Sequence, residues 1–221
     1  MFNRFLAFAM TCIAVMFSVG RANADFVLDF TGGNVSFAGD YQTLGWEFTL
    51  SENKTMTALG VWDEFGDGLA EDHLVGIWQV SGGAPLAVTT VTNSSSPFAS
   101  TENSGRWLFQ DLPSPLILTP GRYVIGANYD GDVGDDPVRI FTDSLSLAPG
   151  FFFNQNRFTT NPMTGLDFPD SGGSARGFFG PNLMLGEAVP EPSSILLSLA
   201  ALGLTGIQRT FRARRQKKII K

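Results

Sequence analysis

Cysteine and histidine are almost missing from this chain: Cys12 and His73 stand alone among 221 residues. Cys12 lies inside an N-terminal apolar run and not at a cleavage position, which argues against a lipoprotein signal. Cutting after Ala24 would leave a mature chain with no cysteine, so neither a disulfide framework nor a thiolate metal site is available to it. One histidine cannot make a His-rich metal site, and no G-x-S-x-G elbow accompanies it as the base of a hydrolytic triad. Basic residues are also scarce between positions 25 and 187, where six face twenty acids and leave fourteen net negative charges. Such a surface repels a phosphate backbone, which excludes nucleic acid as partner. The same stretch shows no internal repeat of the kind that announces a propeller or solenoid, and no convincing amphipathic helix.

The two ends carry different signals. Residues 1–24 begin with Arg4, continue through an apolar run from Phe5 to Val19, and finish on Ala22, Asn23 and Ala24. A charged start, an apolar middle and an A-x-A ending predict a signal helix cut by signal peptidase between Ala24 and Asp25. A retained membrane anchor is the alternative. At the other end, Val189-Pro190-Glu191-Pro192-Ser193 precedes an apolar stretch and then the basic residues Arg209, Arg212, Arg214, Arg215, Lys217 and Lys218. Two prolines around one glutamate keep that segment extended and open to a processing enzyme. Nineteen residues from Ser193 to Phe211 would make ~28 Å of helix, close to a ~30 Å hydrocarbon core, which predicts a single transmembrane helix over about 193–211. The basic end at 209–221 would hold the cytoplasmic side and place the preceding domain outside. A plain stop-transfer anchor shares most of these features.

Pro190, Glu191 and Pro192, placed directly before a short span that ends in an arginine cluster, resemble the PEP-CTERM sorting signal of Gram-negative bacteria. The resemblance covers residues 189–215 in order. It implies recognition of the P-E-P triplet by an exosortase, a membrane-embedded transpeptidase-like enzyme, and delivery to the cell surface or the exopolysaccharide and biofilm matrix. Continuation past Arg215 to Lys221 departs from the commoner pattern and leaves the orientation intact.

Residues 25–187 alternate in the manner of strands. Leu44, Trp46, Phe48 and Leu50 share one face while Gly45, Glu47 and Thr49 take the other, the pattern of a half-buried strand. Further strands are predicted at 25–30, 56–62, 73–80, 86–92, 106–112, 122–129, 137–141 and 178–185. Gly-, Pro- and Asn-rich turns separate them, and the cluster Asn93-Ser94-Ser95-Ser96-Pro97 is expected to be a loop tip. Short, regularly spaced strands predict an all-β antiparallel β-sandwich of jelly-roll or Greek-key type, with a closed barrel as the alternative. The segment from Leu44 to Tyr129 is also weakly similar to extracellular β-sandwich domains of unknown function, through His73-Leu74-Val75-Gly76-Ile77-Trp78, Gly105-Arg106-Trp107 and Pro120-Gly121-Arg122-Tyr123-Val124. The run Phe151-Phe152-Phe153 is expected to be buried over one end of the sandwich.

Little in this stretch points to catalysis. His73 follows Glu71 and Asp72 at the start of a strand and is expected to be a strand-edge histidine beside an acidic neighbour. Asp130, Asp132, Asp135 and Asp136 offer calcium a dense set of oxygens, but their spacing misses the EF-hand pattern, and a solvated turn competes. Asp63-Glu64-Phe65-Gly66-Asp67-Gly68 is a second acidic turn with the same shortfall. Trp62 ends its strand beside that turn and is the candidate sugar-stacking ring, against a core role. The expectation is a non-enzymatic surface or matrix protein with no cofactor, aiding adhesion or binding exopolysaccharide. A carbohydrate-active enzyme using two carboxylates and a purely structural matrix component are the rivals.

Overall fold

The computed structural model describes residues 25–38, 41–129, 136–160, 165–173 and 177–186. The expected signal helix, the cytoplasmic basic cluster and the transmembrane helix lie outside them, as do Ala22, Ala24, Pro190, Glu191 and Pro192.

The described residues form strands and no helix: β1 (Leu28–Thr31), β2 (Asn34–Ser36), β3 (Gln42–Leu50), β4 (Lys54–Asp63), β5 (His73–Gln79), β6 (Ala87–Val91), β7 (Ser96–Ala99), β8 (Arg106–Leu118), β9 (Gly121–Tyr129), β10 (Val138–Ile140), β11 (Ser144–Leu147), β12 (Phe151–Phe158), β13 (Ser171–Gly172) and β14 (Pro181–Leu185). A six-stranded sheet runs β13-β12-β3-β9-β5-β6 and a four-stranded sheet runs β14-β4-β8-β7; two small ribbons pair β1 with β11 and β10 with β2. Every pairing is antiparallel. The pairs β3–β9, β4–β8 and β5–β6 are nested in the chain, the order produced when a folded ribbon is rolled into two facing sheets.

Alternation explains the core. Leu44, Trp46, Phe48 and Leu50 of β3 are all buried, beside Val75 and Ile77 of β5 and Tyr123, Ile125 and Ala127 of β9. The Trp46 indole N–H donates to the Pro181 carbonyl at 2.8 Å, which ties the six-stranded sheet to β14 of the other. β4 is buried on both faces: Leu59 and Val61 take one, while Ala58, Gly60 and Trp62 take the other, with Trp62 against Phe30.

β3 differs from the expected half-buried strand because its second face is covered as well: Thr43, Gly45 and Glu47 there are all buried. Gly45, Gly126 and Gly76 stand side by side in register across β3, β9 and β5 on that face. The lane lets residues 165–170 lie close on the sheet: a Cβ at position 126 would come within 3.3 Å of Pro169, and one at position 76 within 2.9 Å of Leu166. The Asp167 N–H donates to Thr43 Oγ1 and Phe168 packs edge-on against Trp78.

Two expectations need correction. Phe151-Phe152-Phe153 does not cap the sandwich; it opens β12, which pairs with β3, so Phe151 is buried and Phe152 faces out. The expected loop tip at Asn93–Pro97 ends in a strand, since Ser96 and Pro97 begin β7 on the edge of the four-stranded sheet, where proline's missing N–H is tolerated.

Candidate functional site

The first acidic turn singled out by the sequence and Asp136, the described member of the second, border one cavity of about 200 Å³, lined by Asp63, Glu64, Phe65, Asp67, Leu69 and Asp136 among others. The first turn follows β4. Gly66 and Gly68 take positive φ values of 68° and 108°, letting the chain reverse, and the Gly68 N–H returns to the Asp63 carboxylate. The second contributes Asp136, just before β10.

The buried carboxylates around this cavity are tied to internal donors. Asp63 accepts from Arg106 Nε at 2.8 Å. Glu64 accepts from the Trp62 indole at 2.7 Å, from Ser104 Oγ at 2.9 Å and from Arg139 Nε at 2.5 Å. Arg139 also donates to the Gly33 carbonyl at 3.0 Å, and its hydrogen bond with Glu64 raises its already high pKa, against the opposing effect of burial. Asp136 Oδ2 accepts from the Ala70 N–H at 2.8 Å and faces His73 Nε2 at 2.9 Å.

His73 opens β5, as expected, but it is fully buried and its acidic partner is Asp136 rather than Glu71 or Asp72. Its Nδ1 lies 2.7 Å from the Asn128 carbonyl, an acceptor only. Nδ1 therefore donates to that carbonyl, Nε2 is engaged by Asp136, and both ring nitrogens have internal partners. Beside it the Tyr129 hydroxyl is buried with no hydrogen-bond partner among the described residues, and burial pushes the phenol well above its ordinary pKa.

Trp62 is not a stacking platform. Its ring is fully buried, 4.8 Å from Phe30 and 5.1 Å from Trp107, and a ring covered on this scale has no face to offer a sugar. The exposed ring at this edge is Phe65, 65% accessible. It sits in the same turn three residues on, where the chain has left the sheet. Its position within an Asp/Gly turn, a poor place to bury a phenyl ring, was the signal that could have found it.

Among the described residues no group of three metal-ligating side chains stands together. Asp130, Asp132 and Asp135 lie outside the described residues. Asp136, the described member of the expected calcium set, is engaged by His73 and the backbone.

The comparison with family models places the C-terminal signal. Residues 188–215 match the PEP-CTERM protein-sorting motif. This chain carries a PEP-CTERM sorting signal. The signal implies export, a precursor anchored in the membrane at its C-terminus and processing by an exosortase. No curated protein and no solved structure matches the chain.

Proposed function

We propose that this exported protein is a non-enzymatic surface or matrix component whose β-domain binds exopolysaccharide, with Phe65 as the stacking ring. The observation that carries the reading is Phe65 itself: a large apolar ring, 65% exposed, at the rim of a cavity rich in carboxylate oxygens. An aromatic face matches the C–H face of a pyranose ring, and nearby carboxylates accept hydrogen bonds from sugar hydroxyls. The strongly acidic domain favours neutral, hydroxyl-rich segments at this edge over anionic ones.

The engagement of the buried acids supports binding over turnover. Glycoside hydrolysis needs a carboxylic acid with a raised pKa facing a second carboxylate across the substrate. Asp63 and Glu64 are instead held in ion pairs by Arg106 and Arg139.

Two measurements test this reading. Binding of the protein to an array of neutral polysaccharides should weaken at least tenfold, about 1.4 kcal/mol, on Phe65→Ala, with no release of reducing ends over hours. Unchanged binding would remove Phe65, and catalytic release of sugar would replace the binding reading with the hydrolase. Intact masses from hosts with and without an exosortase should show Asp25 as first residue in both and loss of the tail near Pro190 only with the enzyme. Retention of Lys221 in both hosts would reduce the tail to a simple anchor.

A further inference from the structure

A second cluster lies on the six-stranded sheet, on the face of β3 opposite the core, away from the acidic edge. Glu47 is fully buried there and takes hydrogen bonds from four side chains. Oε1 accepts from Arg122 Nε at 2.9 Å and from Asn154 Nδ2 at 3.0 Å; Oε2 accepts from Arg157 Nε at 2.9 Å and from Gln155 Nε2 at 2.9 Å. A bulge in β12 between Phe153 and Gln155 allows two consecutive amides to reach the same carboxylate. Two guanidinium groups share one carboxylate, so the cluster keeps one uncompensated positive charge in a domain that is otherwise strongly acidic.

The two arginines are not equivalent. Arg157 is largely covered, its side chain 12% exposed, and its Nη1 donates to the Asp170 carbonyl at 3.1 Å. Arg122 is 55% exposed although its Nε and Nη2 are held by Glu47. Its guanidinium is therefore oriented, with its remaining edge turned to solvent.

In the same cross-strand row, Arg122 stands opposite Thr49, and Thr49 opposite Phe152 of β12. Phe152 is 57% exposed and contributes to no ring contact among the described residues, so nothing in the packing explains a phenyl group there. Two strand spacings put roughly 10 Å between the Phe152 and Arg122 backbones. Thr49 and the exposed amide of Asn154 lie between ring and cation and hydrogen-bond each other.

We propose that this row is a binding site for a carboxylated polysaccharide, in which one sugar stacks on Phe152 and the carboxylate of a neighbouring uronic acid pairs with Arg122. Arginine offers a planar fork that matches a carboxylate in two parallel hydrogen bonds, and the Glu47 clamp has already removed most of its rotamer freedom. Asn154 and Thr49 supply the hydroxyl partners between the two anchors. The site takes the sugars that the acidic edge around Phe65 repels, and it does not depend on that edge.

The test uses the full-length protein in detergent, with affinity electrophoresis through gels containing polygalacturonate, neutral dextran or dextran sulfate. Polygalacturonate should retard the protein, and Phe152→Ala and Arg122→Gln should each raise the apparent Kd at least tenfold, while Phe65→Ala leaves it unchanged. Phe152→Ala guards against a folding artefact, because Phe152 is exposed whereas Arg122 also supports Glu47. Retardation by polygalacturonate that survives both substitutions would overturn the site. So would equal retardation by dextran sulfate that depends on Arg122 and not on Phe152, which would make the cluster a simple anion exchanger. A protein bound by dextran through Phe65 but indifferent to polygalacturonate would overturn this proposal and leave the edge reading standing.

Discussion

Replacing Glu47 with glutamine removes one negative charge and almost no volume from a buried position. Burial alone would raise the Glu47 carboxyl, but the hydrogen bonds from Gln155, Arg122, Arg157 and Asn154 outweigh it and lower the pKa from 4.5 to about 2. A depressed carboxyl stabilises the fold above its unfolded pKa and loses that contribution as pH falls through its folded pKa. At 1.36 kcal/mol per pKa unit the difference corresponds to about 3 kcal/mol. Arg122 is more than half exposed, so solvent screens part of the interaction and about 2 kcal/mol is the expected share. Urea unfolding at a series of pH values should show Glu47→Gln less stable than the parent by about 2 kcal/mol at pH 7. The gap should persist down to about pH 4.5 and close towards pH 2, where the parent's own Glu47 is half protonated. The other carboxylates titrate in both proteins and cancel in the difference. A gap of the same size at pH 7 and pH 2.5 would refute the reasoning, because the loss would then come from packing and not from charge.

Trp62→Ala should cost about 4 kcal/mol of stability, measured by denaturant midpoint, because it empties a fully buried site and strips Glu64 of a donor. Polysaccharide binding by the variant that remains folded should be unchanged. Tyr129→Phe should stabilise the domain by about 1 kcal/mol, seen as a higher Tm, since it removes a buried hydroxyl with no hydrogen-bond partner among the described residues. Gly45→Ala should leave little folded protein on a circular-dichroism melt, because the new Cβ would lie 1.9 Å from the Ile125 carbonyl oxygen and backbone on a central strand pair has no room to yield.

How legible the fold was in the sequence depended on whether a strand has one polar face. β3 alternates large apolar residues with small or polar ones, and its inward face followed directly from that period. β12 does not alternate in chemistry: Phe151, Phe152 and Phe153 are identical, yet one is buried and the next is exposed. Only the pairing with β3 decides which is which. β7 was hidden for the opposite reason, because Ser96 and Pro97 are turn-forming types and an edge strand makes few demands on composition. The candidate site was half legible. The two acidic turns were visible as sequences, but the meeting of the first with Asp136 at one cavity depends on a separation of more than 60 residues between Ala70 and Asp136. Trp62 took a core role and not the stacking one because strand parity says which face a ring takes and not whether that face is covered by Phe30 from another part of the chain. The Glu47 cluster was invisible, since its four partners come from β9 and β12 and nothing local marks them.

The way the domain is closed bears on how its tail can be removed. The first residues after the expected signal cleavage site join β14: the Val27 N–H donates to the Leu183 carbonyl at 2.7 Å, and the Leu185 N–H donates to the Asp25 carbonyl at 2.8 Å. Phe26 forms a bridge with Met184, and the Gly186 N–H reaches the Thr55 carbonyl at 2.9 Å. The sorting motif begins at residue 188, directly after this closing strand. Among the described residues, the hydrogen bonds that close the fold are made by residues up to Gly186, ahead of the motif. Stability in these strands comes from pairing and burial, and residues 183–185 supply the pairing of the N-terminal residues. Removal of residues 181–185 would expose the β4 edge and strip Asp25 and Val27 of their partners. Exosortase processing at the motif cuts the chain beyond this closing strand and leaves residues 181–185 in the product.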